Sequence, residues 1–193
     1  MNEKELFSAV VLAGGKNSRF QGRIKSLELL NSLPIIEHQL RILTRLFHHI
    51  LIITNSPNAF QDYTNHPIHE DIYKDKGPLG GIYSGINYAP TPYVFVFGGD
   101  MPFLDLKLIS QQMDQINLQN PDAIVPVTNN GSEPLHGIYN TRIHQALEKF
   151  LNNEKTFAVR DFLNHINTYF WQTNWTNAFI NINTPAELQY YEK

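Results

Sequence analysis

Gly14, Gly15, Arg19 and Lys25 fall within twelve residues of one another, directly after the apolar run Val10-Val11-Leu12-Ala13. Glycine lacks Cβ and admits backbone geometry and close ligand approach denied to other residues, so the backbone N–H groups of such a loop can serve as phosphate ligands. Arg19 would add a guanidinium fork matched to phosphate oxygens, and Lys25 a mobile ammonium charge. An ordinary glycine turn flanked by surface cations is the other reading of the same residues. Two named phosphate loops are excluded. The glycines pair as Gly14-Gly15, Gly80-Gly81 and Gly98-Gly99, with no G-x-G-x-x-G, and Gly15-Lys16 lacks the glycine five residues earlier that Walker A requires.

Asp100 follows Tyr93-Val94-Phe95-Val96-Phe97-Gly98-Gly99 and precedes Met101-Pro102. A carboxylate at the end of an apolar strand can hold Mg²⁺, which takes hard oxygen ligands and often needs one or two protein carboxylates beside substrate phosphates and water. The same position also suits a turn or helix N-cap aspartate. The segment from Asp71 to Gly85, through Gly77-Pro78-Leu79, combines turn residues with a helix start. It could bring backbone groups to a nucleobase edge, or be a surface turn before a glycine-packed helix. Asn181 and Asn183 alternate with apolar residues as at a strand end, while Thr184 and Pro185 can cap and begin a final helix. The pairs His48-His49 and His66-Pro67-Ile68-His69 lack the further ligands of a metal site, whereas His136, in Glu133-Pro134-Leu135-His136, could line a substrate pocket.

Elements must bring these loops together. Ser8 to Leu12, His49 to Thr54, Tyr93 to Phe97 and Ala123 to Val127 read as strands whose continuous hydrophobicity suits a sheet covered on both faces. Helices are predicted over Pro34–Phe47, Gly80–Tyr88, Leu104–Asn117, Arg142–Asn152, Ala158–His165 and Pro185–Tyr191. The alternation predicts a three-layer α/β fold with a mainly parallel sheet. In such sheets ligands bind beyond the carboxyl ends of the strands, which is where Gly14, Lys25, Asn55 and Asp100 fall.

The 193 residues suit one domain, residues 1–193, with a core that needs no disulfide or structural metal. A net charge of −3 with scattered basic residues gives no nucleic-acid footprint, and the absence of cysteine excludes disulfides, thiolate metal sites and a cysteine nucleophile. The apolar stretch Leu6 to Ala13 is too short to span a bilayer, so a soluble cytoplasmic protein with no membrane partner is expected.

Taken in order, these segments resemble the molybdenum cofactor guanylyltransferases, members of the wider nucleotidyltransferase fold family. The resemblance runs through Leu12-Ala13-Gly14-Gly15 with Ser18, Arg19 and Lys25; Leu27 to His38; Asn55; Asp71; Gly77-Pro78-Leu79-x-Gly81; and Asp100-Met101-Pro102. It continues through Pro134-Leu135 to Tyr139, Val159-Arg160-x-Phe162-Leu163 and Asn181-x-Asn183-Thr184-Pro185. It implies a Rossmann-like domain that joins GMP from GTP to the terminal phosphate of molybdopterin and releases pyrophosphate. By the same resemblance Leu12, Ala13, Gly14, Gly15, Lys25, Asn55, Asp71 and the Gly77-Pro78-Leu79 loop contact GTP, and Asp100 binds Mg²⁺. Arg19, Lys25 and Asp100 would carry the catalysis, with His136, Asn181 and Asn183 near the pterin or behind the residues that touch it. Because labile cofactors are handed on, a cofactor-delivery protein is a further partner of this reading. Two departures fall in the phosphate loop: Gln21 stands where many relatives have glycine, with Gly22 one position on, and Ile24 stands where an aspartate is common. Gly99 replaces a frequent cysteine. Gly14 and the Gly-Pro-Leu loop look like the guanylyl branch, since cytidylyl relatives usually have alanine at the former position. A related enzyme using CTP or a sugar phosphate, and a noncatalytic nucleotide-binding accessory protein, are the alternatives.

Overall fold

The computed structural model describes residues 3–14, 22–116 and 120–192. Its strands are β1 (Phe7–Leu12), β2 (Leu29–Leu30), β3 (Leu33–Pro34), β4 (His49–Ile53), β5 (Ile68–His69), β6 (Tyr93–Gly98), β7 (Ala123–Thr128), β8 (Gly131–Ser132), β9 (His136–Asn140) and β10 (Thr168–Gln172). Its α-helices are α1 (Ile35–Leu46), α2 (Gly77–Tyr88), α3 (Leu106–Asp114), α4 (His144–Asn153), α5 (Val159–Leu163) and α6 (Pro185–Tyr191).

The main sheet runs β10-β7-β9-β6-β1-β4-β5, with β8 paired to β7. The pairs β1–β4, β1–β6, β4–β5 and β7–β10 are parallel, while β9 runs antiparallel to both β6 and β7. The expected mainly parallel three-layer architecture is present. Period-two alternation divides each apolar strand between two cores. On one face Ala9, Val11, Phe95 and Phe97 pack with α1 and α3 through Leu40, Leu43, Leu108 and Ile109. On the other, Val10, Val94 and Val96 pack with α2, α4 and α5 through Ile82, Leu147 and Phe162. Shortening a fully buried side chain such as Leu43 to alanine would cost about 2–5 kcal/mol, the lost transfer energy plus the cavity left behind.

One strand was not expected and three expectations need correction. His136 to Asn140 is a central strand to which the sequence reading assigned no element; its five residues are all buried. The helix expected from Gly80 begins at Gly77, because Pro78 falls in the first turn, where its missing N–H costs nothing. The helix expected from Leu104 begins at Leu106, since Asp105 caps it by accepting hydrogen bonds from the N–H groups of Lys107 and Leu108. Phe179 to Asn183 forms no strand: Asn177–Phe179 is a 3-10 turn, and the Ile182 N–H donates to the Asp100 carbonyl at 2.8 Å. Thr184 and Pro185 do open α6, where Thr184 and Glu187 cap each other's backbone N–H groups.

Candidate nucleotide site

Register places the site. Leu12 pairs with Ile53 on one side and with Gly98 on the other, so the chain leaves β1, β4 and β6 at one level and delivers Gly14, Asn55 and Asp100 side by side. Ile53 also pairs with His69, which brings Asp71 to the same edge two residues after β5 ends. Because β9 is reversed, its amino end meets the carboxyl ends of its neighbours, and Leu135 joins them. Gly99 is required by this convergence: a Cβ there would stand 2.7 Å from the Leu12 carbonyl oxygen. Together these residues line a cleft of about 520 Å³, with Lys25, Gly77 and Pro78 also on its walls. That volume suits a small-molecule ligand.

At one end, the Lys25 Nζ lies 3.3 Å from the Asp100 Oδ2 and donates to the Asn183 Oδ1 at 3.0 Å. Lys25 is presented by the short 3-10 turn Lys25–Leu27, and Asn183 by the segment tied to Asp100 through Ile182. The carboxylate and ammonium are both about one-fifth exposed, accessible from the cleft yet fixed. Ile24, beside Lys25, packs on the core instead of adding an acid to this end. Gly22 adopts φ +84°, a left-handed turn one position after Gln21.

At the other end, the Asn55 side-chain amide donates to the Asp71 Oδ2 at 2.9 Å, while the Asp71 Oδ1 is buried on the side of Gly81, near the Ser84 hydroxyl. Burial pushes the Asp71 carboxyl above its usual range, opposed by the Asn55 amide, the Ser84 hydroxyl and the more distant Lys74 ammonium. A Cβ added at Gly14 would sit 3.8 Å from the Asn55 Nδ2 and 3.9 Å from the Asp71 Oδ2. The glycine therefore keeps open the space in front of this pair.

The structure thus gathers Leu12, Ala13, Gly14, Lys25, Asn55, Asp71, Gly77, Pro78 and Asp100 around one cleft, and Asn183 beside Lys25. Leu79 lies in α2, fully buried against the sheet. Asn181 is engaged within its own segment, its amide donating to the Phe179 carbonyl at 3.0 Å. Gly15 and Arg19 lie outside the described residues, as do Ser18 and Gln21.

His136 does not line the cleft, contrary to expectation. It is fully buried, with the rings of Phe95, Phe97 and Phe179 set edge-on within 5.2 Å and its Nδ1 paired to the Gln112 Oε1 at 3.1 Å. Burial lowers its pKa to about 3, so the ring is neutral. Leu135, one residue earlier, faces the cleft because successive side chains of an extended chain point to opposite sides. Ser26, Asp75 and Gly81 also line the cleft, and sequence reasoning did not single them out as site residues. Gly81 was nonetheless visible within the Gly77-Pro78-Leu79-x-Gly81 motif.

Comparison with known proteins bears on this arrangement. The chain is 32% identical to a protein of Natranaerobius thermophilus named "Probable molybdenum cofactor guanylyltransferase", the match covering 96% of this chain and 95% of that one. A protein of the same name from Peptoclostridium acidaminophilum is 30% identical, over 99% of this chain and 90% of that one. Among solved structures, molybdopterin-guanine dinucleotide biosynthesis protein A from Archaeoglobus fulgidus superposes with a TM-score of 0.81 at 20% identity, covering 96% of each chain. A CMP:2-keto-3-deoxy-manno-octonic acid synthetase complexed with CTP superposes with a TM-score of 0.78 at 11% identity, again over 96% of each. At these identities the structural likenesses speak to the fold. Residues 9–168, the stretch that carries β1 through the start of β10 and most of the cleft, match the family described as the MobA-like NTP transferase domain, and the chain belongs to that family.

Proposed function

We propose that this protein transfers GMP from GTP to the phosphate of molybdopterin, giving the guanine dinucleotide form of the cofactor and pyrophosphate. The observation that carries the choice of base is the Asp71 carboxylate, which lines the cleft with its Oδ2 oriented by Asn55 and no cation bound to it among the described residues. Guanine presents adjacent N1–H and exocyclic N–H donors on one edge, which suit a carboxylate acceptor on the cleft wall. The corresponding edge of cytosine carries acceptors at N3 and O2 and a single donor group at N4, so it offers no adjacent pair of N–H donors. The names of the full-length relatives support the same substrate pair.

In this reading Asn55 orients the Asp71 carboxylate, and the open space at Gly14 admits the base. Lys25, held between Asp100 and Asn183, meets the triphosphate, where its charge stabilises the negative charge gathering on the departing pyrophosphate. An oxygen of the pterin phosphate attacks the α-phosphorus in line, the bond from that phosphorus to the bridging oxygen of the β-phosphate breaks, and pyrophosphate leaves. No covalent enzyme intermediate is needed, so positioning and electrostatics supply the catalysis.

Asp100 fits a divalent cation. It offers a partly exposed hard-oxygen donor at the cleft, and Mg²⁺ commonly completes such a shell with phosphate oxygens and water. When bound there, Mg²⁺ would supply charge neutralisation and orientation of the triphosphate.

The test is to incubate the purified protein with molybdenum-loaded molybdopterin, Mg²⁺ and GTP, CTP or ATP, and to identify the dinucleotide by mass. A guanine dinucleotide formed selectively, and lost in Asp100→Asn, is the expected result. A cytosine dinucleotide would overturn the base assignment, and no product from folded protein with intact acceptor would point to another acceptor or an accessory role.

A further inference from the structure

The carboxylate at the phosphate end is only as well placed as the turn that carries it, and that turn is gripped by a side chain from a different layer of the fold. Gln39 lies on the inward stripe of α1 among Ile35, Ile36, Leu40 and Leu43, all buried. An apolar residue would continue that stripe. Instead Gln39, fully buried, donates its amide N–H groups to the Gly98 carbonyl at 2.7 Å and the Met101 carbonyl at 3.1 Å. These two carbonyls bracket Asp100. Both partners are acceptors, which settles the orientation of the amide, because only its nitrogen can face them.

The remaining oxygen, Oε1, is buried with no hydrogen-bond partner among the described residues. A buried, half-satisfied carboxamide disfavours the fold relative to a packed apolar side chain, so its nitrogen must be what makes it useful. Apart from the Lys25 ammonium at the Asp100 carboxylate, the rest of the turn is fastened by main chain among the described residues: Gly98 N–H to Leu135 O at 2.9 Å, Gly99 N–H to Leu12 O at 3.0 Å, Ile182 N–H to Asp100 O at 2.8 Å, and the longer Met101 N–H to Gly98 O at 3.3 Å. Gly98 leaves little slack, since a Cβ there would lie 3.1 Å from an Asp100 carboxylate oxygen.

We infer that Gln39 is a positioning residue for the reaction: its amide clamps the Gly98–Met101 turn from beneath and thereby fixes the Asp100 carboxylate for a divalent cation and the nucleotide triphosphate. This rests on the reading of Asp100 as the metal carboxylate. Gln39 touches neither nucleotide nor metal, and acts through the backbone on either side of Asp100.

The experiment is calorimetric titration of GTP, with and without Mg²⁺, into the wild type, Gln39→Met, Asp100→Asn and the double variant. Methionine keeps the length and volume of glutamine and removes both donors. Gln39→Met is expected to bind metal-free GTP as the wild type does and to lose about 10–100-fold in its affinity for Mg²⁺ in the GTP complex, as when a group orienting a metal ligand is removed. In the Asp100→Asn background the same substitution is expected to change the metal dependence no further. Wild-type metal dependence in Gln39→Met, or an equal loss with Asp100 already removed, would overturn the inference. Should Gln39→Met lack a cooperative melt, Gln39→Asn replaces it, keeping the amide but one methylene too short to span both carbonyls; wild-type metal dependence there overturns the inference equally. A wild type whose GTP binding ignores Mg²⁺ overturns it at its premise. A wild type that binds GTP with Mg²⁺ but makes no pterin dinucleotide overturns the acceptor assignment alone, and the Gln39 comparison is still read from binding.

Discussion

Asp100 and Asp71 enter the same cleft from just past β6 and β5, parallel strands with β1 and β4 between them, yet their surroundings differ. Asp100 faces the Lys25 ammonium at 3.3 Å, so its charge is met by a charge. Asp71 faces the neutral Asn55 amide at 2.9 Å, and the nearby Lys74 is taken up by Glu70 at 2.8 Å on the surface. Burial accordingly raises the pKa of Asp71 against the weaker pull of those neighbours. A carboxylate paired with a cation is suited to managing phosphate and metal charge, whereas one held only by neutral groups is suited to reading a donor pattern. On the proposed function, one cleft separates charge handling from base reading along its length.

If that division holds, substitutions at the two ends should fail differently. The largest effect is expected at the charged end. Asp100→Asn and Lys25→Ala should each lower kcat by about 10²–10³, as for removal of one preorganised electrostatic group, with metal-free GTP affinity near that of the wild type in Asp100→Asn and a smaller loss of affinity than of kcat in Lys25→Ala, which gives up a phosphate contact. Equal losses in kcat and binding, read from steady-state kinetics beside calorimetry, would break the distinction. At the base end, Asp71→Asn should weaken GTP binding by about 1.5–3 kcal/mol, the worth of hydrogen bonds to a charged group, and shrink the preference for GTP over CTP. An unchanged GTP-to-CTP ratio in competition assays would remove Asp71 from base reading.

A smaller, pH-dependent effect follows from the raised pKa of Asp71. The acceptor must be ionised, so GTP affinity should fall as pH drops toward that raised value, and Asp71→Asn should lack this limb. Stability should move the other way. A carboxyl whose folded pKa lies above its unfolded value contributes stability that is fully present below the unfolded pKa and lost as pH rises through the folded one. Denaturant melts of Asp71→Asn should therefore show more stability than the wild type near neutrality and less advantage in acid. The smallest effect is expected at Gly14. Its added Cβ would make only ordinary contacts with Asn55 and Asp71, so Gly14→Ala should reduce the GTP preference by about 1 kcal/mol, the low end of what one methyl group is worth in a pocket. Full retention of the preference would show that the space in front of Asp71 has no part in base choice.

The sequence by itself determined the strands β1, β4, β6 and β7, because continuous runs such as Tyr93 to Phe97 can be satisfied only with both faces covered. It also placed Gly14, Asn55 and Asp100 just past strand ends, and parallel topology then forces those loops to one edge. What remained closed to it depended on partners distant in the chain. The five residues of β9 carry no alternation, since both faces are buried, and only its place between β6 and β7 reverses it and turns Leu135 to the cleft and His136 into the core. Lys25 and Asn183 meet across 158 positions, and Gln39 reaches a turn 59 positions away. Local pattern decides whether a segment becomes a strand or helix and which positions turn inward. The order and direction of the strands, and the polar side chains that cross between layers to hold a turn, are decided only when the layers pack and each buried donor or acceptor must find its counterpart.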